Sequence, residues 1–238
     1  MALRRNDPAQ YDELADEWWK PDGDFAALHW LARSRGELIP PPSRPGAALL
    51  DVACGGGLLA PHVPAGYRHV GVDQSAPSLA VAARHGLECV LGDVTALPFG
   101  DAEFDVVVAG EILEHVEDVE GTVAESIRVL RPGGTFVCDT INRTRFSALA
   151  IVTVAERMPG GPPLGCHDER LFVRPQRLRD ECARHGVSLR VWGLRPAIRQ
   201  YVGFMLGVRR GAAMVPTRYM GALYQGVGVK MARGISPT

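Results

Sequence analysis

One stretch constrains this chain more than any other: LLDVACGGGLLA, Leu49 to Ala60, an apolar run, three consecutive glycines and an apolar restart. Glycine weakens any regular element, so three in a row after an apolar run mark a turn where backbone approaches something closely. The run before them is apolar on both faces, which suits a strand buried in a parallel sheet. HVGVD, ECVLGD, FDVVVAG and GTFVCDT follow as further runs of that kind, separated by helix-length segments. Such alternation implies right-handed crossovers and a doubly wound α/β sheet. After Gly186, VSLRVWGL and LYQGVGVKM read as a closing hairpin-like pair, which makes a mostly parallel, seven-stranded sheet.

Ahead of the sheet, Pro8 to Ile39 reads as two helices broken at KPDGD, with Tyr11, Leu14 and Trp18, then Leu28, Leu31 and Leu38, at near-helical spacing. The prolines of PPPSRPG end that region. Val119, Val123, Ile127 and Leu130 form one apolar helix stripe, stopped by RPGG. At 238 residues and 46% hydrophobic, the chain suits one core. We expect a single domain, with a helical cap over 1–45, a cofactor-binding core over 46–142, an insert over 143–170 and the rest of the sheet with a substrate cover over 171–238.

A net charge of -1 provides no basic field to gather nucleic acid. The arginines at the start are followed by no apolar segment of the secretory kind, so a cytoplasmic placement is expected. The five cysteines are scattered without a Cys-x-x-Cys pair and read as reduced thiols; Cys54 reads as a small residue filling a tight turn.

Gly55, Gly57 and Ala60 loosely satisfy a dinucleotide fingerprint, with Asp73 placed to take ribose hydroxyls and Gln74 beside it. An NAD-dependent oxidoreductase is one reading, although no Tyr-x-x-x-Lys pair is evident. Asp51 opposes it, because a pyrophosphate near this acid would cost about 1 to 4 kcal/mol. S-adenosylmethionine brings an ammonium and a sulfonium instead, and an acid suits both. Asp51 as a helix cap or water-bound carboxylate stays open. Asp93 is placed to accept the adenine amine while Val94 packs on the ring, or else Asp93 shapes a turn.

EILEHV follows the fourth apolar run. If it turns helical at Glu111, then Glu111, Glu114 and His115 share one face and converge. The alternative is that the two acids favour a helix's positive end and His115 faces solvent or backbone. His115, His29 and His167 are the candidate bases, with His115 first and Glu111 beside it in the catalytic set.

LLDVACGGGLLA, VGVDQS, GDVTALPF, FDVVVAGEILEHV and VLRPGGTF together resemble class I S-adenosylmethionine-dependent methyltransferases. YDELADEWWKPDGDFAALHWLARSR, EILEHV, TINRT and HDERLFVRP follow the order of the UbiG family, the quinol O-methyltransferases of ubiquinone biosynthesis, from about Tyr11 to Lys230. The resemblance implies a Rossmann-like fold with an insert after the fifth strand, and S-adenosylmethionine as cofactor. It also implies O-methylation of a catechol or hydroquinone-like small molecule, a prenylated quinol among them. By the same resemblance Arg35 takes the methionine carboxylate, Ala53 stands where the family usually has glycine, Asp73 holds the ribose and Gly110 lies beside the sulfonium. Glu111, Glu114 and His115 match a divalent-metal motif, for Mg²⁺, Mn²⁺ or Zn²⁺. Trp30, Ala32 and Arg33 depart from the family-typical Arg, Asn and Pro. A natural-product methyltransferase on a soluble aromatic, and a cofactor-binding protein without catalysis, are the other readings.

RTRFSALAIVTVAERMPGG is too short to span a bilayer and carries Arg143, Arg145 and Arg157. The family's insert is associated with lipid, which implies peripheral membrane contact through 143–160; a lid or a dimer contact is the alternative. YVGFMLGVRRGAAMVPTRYMGALY has similar character. The oligomeric state is not legible.

Overall fold

The computed structural model describes residues 5–158 and 161–232. Helix α1 (Ala9–Glu13), a 3-10 turn (Ala15–Glu17) and α2 (Ala26–Gly36) precede β1 (Ala48–Val52). Then come β2 (Arg68–Asp73), α3 (Ala76–Arg84), β3 (Glu88–Leu91), β4 (Phe104–Gly110), α4 (Val119–Val129) and β5 (Leu130–Ile141). The insert holds α5 (Arg145–Ser147), a π-helical stretch (Ala148–Val154) and a 3-10 turn (Ala155–Arg157). α6 (Pro175–Arg184), β6 (Val187–Pro196), α7 (Ile198–Met205), β7 (Met214–Thr217) and β8 (Leu223–Lys230) complete the chain.

The sheet order is β3-β2-β1-β4-β5-β8-β6-β7. The first five strands run parallel, and β8, β6 and β7 join antiparallel. The doubly wound α/β expectation holds, with one strand more than expected. MVPT is a short edge segment that contains Pro216, and a proline within an apolar run reads against a strand.

β1 is buried along its whole length between β2 and β4. Strand order reverses here, which opens a crevice above the carboxyl ends of β1 and β4. Helix α4 covers one face with Val119, Val123 and Ile127, packed on Phe104 and Leu130. Its start is fixed by Asp118, whose Oδ1 accepts from the Gly121 backbone N–H at 2.8 Å. EILEHV is therefore not helical: Glu111 adopts φ +52 and the chain turns until Val119.

Candidate active site

The glycine turn after β1 has Ala53, Gly55 and Gly57 at φ +55, +51 and +79. A Cβ on Gly55 or Gly56 would collide with the Trp18 indole. Trp18 is held there by its own Nε1–H, which donates to Ser78 Oγ at 3.0 Å. Trp19 Nε1–H donates to the Gly56 carbonyl at 2.8 Å. The N-terminal segment is thus part of the loop, a role the sequence pattern did not reveal. Asp73 tightens the same turn: its carboxylate accepts the Gly55 and Ser75 N–H groups, each at 2.8 Å, and burial raises its pKa despite those bonds. Each Asp73 oxygen keeps acceptor capacity for a ligand hydroxyl. Burial pushes the Cys54 thiol well up, which fits a filler rather than a nucleophile.

Above the loop lies a cavity of about 800 Å³. Arg35, Asp51, Ala53, Gly55, Asp73, Gln74, Asp93, Val94 and Gly110 all line it. Glu111 and His115 line it too, whereas Glu114 is fully buried. Asp93 is also the turn residue of the alternative reading, since its Oδ1 accepts from Thr95 N and Oγ1 at 2.8 and 2.7 Å.

The floor is acidic. Asp139, opposite Gly110 in the β4–β5 register, accepts from Arg35 Nη1 at 2.7 Å and from Glu111 N at 3.0 Å. Glu114 accepts from Thr140 Oγ1 at 2.7 Å. Glu111 Oε1, Glu114 Oε1 and Asp139 Oδ2 are buried without a partner. Burial, joined by repulsion from Glu114 and Asp139, raises the pKa of Glu111; burial raises Asp139 against the opposing pull of Arg35 and its hydrogen bonds, and burial takes Glu114 to about 7. Burial pulls the Arg35 guanidinium down, but Asp139, Glu111 and Asp51 more than restore it. Three carboxyls against one guanidinium favour a cationic ligand. Asp139 was not foreseen; the signal for it was an acid inside the apolar run FVCDTI.

The histidines fall in different places. His29 Nε2–H donates to the Trp18 carbonyl at 2.9 Å, and His29 does not line the cavity. His115 donates from Nδ1 to Asn6 Oδ1 at 2.5 Å, and its Nε2 faces the Tyr11 hydroxyl at 3.5 Å. Burial, with His167 nearby, lowers its pKa to about 3. The expected convergence of Glu111, Glu114 and His115 on one ion does not occur. There is no helix across 111–118, and the ligand atoms of the three do not all lie within 4.8 Å of one another. Among the described residues, the three whose ligand atoms lie within 4.8 Å of one another are Glu156, Cys166 and His167 instead. Glu111, Glu114 and His115 are not drawn to one point in this arrangement.

The far end of the cavity is apolar, with Phe146, Ala150, Ile151, Ile198, Tyr201 and Met214 in its wall. Insert and C-terminal region meet there: Phe146 and Tyr219 lie ring to ring at 6.0 Å, and Tyr201 OH approaches Met158 sulfur at 3.8 Å. Among the described residues, no helix is long and apolar enough to cross a membrane.

A family model described as a methyltransferase domain matches residues 50–138. A ubiquinone biosynthesis O-methyltransferase of Marinobacter nauticus is 33% identical over 197 residues, 78% of this chain and 83% of that protein. One of Caulobacter vibrioides is 36% identical over 205 residues, covering 77% and 81%. Among solved structures, a Thermotoga maritima S-adenosylmethionine-dependent methyltransferase aligns with a TM-score of 0.65 at 16% identity, covering 92% of this chain and 97% of that one. That last likeness is one of fold.

Proposed function

Since the chain belongs to the ubiquinone biosynthesis O-methyltransferase family of the S-adenosylmethionine-dependent methyltransferases, we propose that it methylates a phenolic hydroxyl of a catechol or hydroquinone-like acceptor, a prenylated quinol in particular. The observation that carries this reading is a single cavity, acidic and backed by glycines at one end and apolar at the other.

The acidic end fits the cofactor. Asp51 and Glu111 line this end of the cavity beside Gly55 and Gly110, and carboxyl oxygens there suit an ammonium and a sulfonium. Asp73 would hold the ribose, and Asp93 with Val94 the adenine. Arg35 has guanidinium donors beyond the Nη1 given to Asp139, and these would meet the methionine carboxylate. S-adenosylmethionine supplies an electrophilic methyl on sulfur. The protein's own task is to align an acceptor oxygen, exclude water and remove a proton. A phenol of ordinary pKa costs about 4 kcal/mol to ionise at pH 7, so that proton needs a base. Glu111, Glu114 and His115 do not gather around a cation, and no step is assigned to a metal.

The apolar end and its mouth support an isoprenoid-tailed acceptor drawn from a membrane. Phe146, Leu149 and Val154 of the insert, and Ile198, Val202, Leu206 and Val208 around α7, are all exposed. Arg143, Arg145, Arg157, Arg199, Arg209 and Arg210 are exposed among them. An apolar surface interleaved with arginines suits an anionic headgroup layer.

A soluble aromatic acceptor has one observation in its favour. Trp30, where the family typically has arginine, packs against Phe204 at 4.9 Å and Tyr201 at 6.2 Å, so the wall there is aromatic rather than charged.

The test is methyl transfer by the purified protein to a catechol panel that includes a prenylated quinol, repeated after EDTA. Transfer that survives EDTA and favours the tailed acceptor is expected. Binding of S-adenosylmethionine without transfer to any phenol would overturn the enzymatic reading, and preference for an untailed aromatic would overturn the quinol.

A further inference from the structure

Resting on the O-methyltransferase reading, we propose that His167, held in place by Glu156, is the general base that takes the proton from the acceptor hydroxyl. His167 is 4% exposed and lines the same cavity as Gly110 and Asp73. Its Nδ1 lies 3.3 Å from Glu156 Oε1, which also accepts the His167 backbone N–H at 3.2 Å. Glu156 therefore fixes both the ring's orientation and the tautomer that carries the proton on Nδ1. Among the described residues, Nε2 is left with a lone pair and with only the Cys166 sulfur, 4.0 Å away, in reach. That is the arrangement a base needs: one nitrogen anchored by a carboxylate, the other available to a ligand.

Glu156 is itself braced. Its Oε2 accepts the Gly165 N–H at 2.9 Å and faces Arg5 Nη1 at 3.4 Å. Burial alone would push its carboxyl up, but His167, Gly165 and Arg5 outweigh that and hold it below the usual range, hence ionised. The same contacts argue against reading Glu156, Cys166 and His167 as a metal centre, because Arg5 already supplies the cation. Cys166 Sγ is 3.1 Å from His167 Nδ1, and burial holds its thiol protonated.

His115 stacks on His167 with centroids 5.2 Å apart, and Phe172 meets the ring edge-on at 6.2 Å. Arg5 also donates to the His167 carbonyl at 2.7 Å. These groups, with Glu156 and Cys166, are what faces His167. Between the two stacked rings the roles divide: His115 has both nitrogens engaged by Asn6 and Tyr11, whereas among the described residues His167 Nε2 meets only the Cys166 sulfur.

In the step, the acceptor O–H bond breaks and its proton passes to His167 Nε2. The oxygen's electron pair forms the new O–C bond as the sulfonium's S–C bond breaks, with that pair remaining on sulfur. The imidazolium then returns its proton to solvent.

The experiment begins with wild-type protein, for which S-adenosylmethionine binding and methyl transfer to a catechol are measured. Failure of either removes the O-methyltransferase reading itself. Given wild-type transfer, H167Q should lower kcat/KM for catechol by about 10²- to 10⁴-fold, flatten the acid limb of its pH profile and leave cofactor Kd unchanged. With an electron-poor nitrocatechol, already ionised at the assay pH, the same variant should lose less than about tenfold. H167A should recover activity with added imidazole. E156Q, a change to a positioning residue, should lower kcat for catechol while leaving cofactor Kd unchanged and costing less with the nitrocatechol, because the ring loses the carboxylate that orients it. Equal loss with both acceptors, an unchanged pH profile in H167Q, or no imidazole rescue would overturn the assignment. Should H167Q not fold, H167A with and without imidazole carries the same decision.

Discussion

Arg35 crosses the face of Gly110 to reach Asp139 at 2.7 Å, through space that a Cβ at position 110 would fill. The absence of one side chain thus admits the guanidinium that offsets the acidic floor. Gly110→Ala should destabilise the fold by about 1–3 kcal/mol through overpacking and weaken S-adenosylmethionine binding at least tenfold. Asp139→Ala, which strands a buried guanidinium, should cost about 3–5 kcal/mol. Urea unfolding and titration calorimetry check both, and wild-type affinity in Gly110→Ala would show that Arg35 has no part in holding the cofactor.

Ala53 sits at φ +55, a conformation that glycine reaches without steric cost. Ala53→Gly trades relief of about 1–2 kcal/mol of backbone strain against a more flexible unfolded chain, so it should be neutral or stabilise by up to about 1 kcal/mol. Gly56→Ala is the contrast, since its Cβ would strike Trp18, and it should lower both the melting temperature and cofactor affinity. A destabilising Ala53→Gly would mean that this methyl packs usefully.

Glu114 stands at about 7 in the fold because it is buried, well above an unfolded glutamate. The folded state therefore holds a proton that the unfolded state has lost between about pH 4.5 and 7, and stability declines as pH rises through that window. His115, held neutral down to about 3, acts in the opposite sense: stability declines as pH falls below about 6.5. The two partly cancel in the wild type. Glu114→Gln removes the first alone, so relative to wild type it should gain roughly 1–3 kcal/mol on going from pH 5 to pH 8. Denaturant unfolding of cofactor-free protein at both pH values decides it; a constant difference would mean that Glu114 is ionised throughout.

Phe146 lines the cavity and, with Leu149, Arg143 and Arg145 of the same insert, is exposed. Wild-type protein should sediment with phosphatidylglycerol vesicles and be released by salt. Phe146→Ser with Leu149→Ser should weaken that binding by about tenfold or more, and each arginine removed should cost about 1 kcal/mol at low salt. Cofactor affinity should not change. No sedimentation of the wild type would reduce the apolar mouth to a lid.

The parallel half of the sheet was legible because its strands are apolar on both faces and end in glycines or acids. What escaped was anything that depends on which way a side chain leaves an irregular backbone. Glu111, Glu114 and His115 have the spacing of a helical face, but the left-handed turn at Glu111 takes them off a helix altogether. β7 was hidden by Pro216, and Asp139 by its place inside an apolar strand. Glu156 lies eleven residues before His167, and they meet because the insert folds back on itself, which no residue pattern foretold. His115 ranked first as a base from its motif; that Asn6 and Tyr11 engage its nitrogens could not be read from that motif.

The two indoles that close the glycine turn give the protein an optical reporter of its own. Trp18 lies against the turn's Cα atoms and Trp19 bonds its carbonyl, so cap docking and turn order are one event to a fluorimeter. Anything that undocks the first 25 residues should redden the emission, and by thermodynamic reciprocity the cofactor should tighten cap docking by the same factor as cap docking tightens the cofactor. Binding could then be followed in the unlabelled chain, with light as the readout.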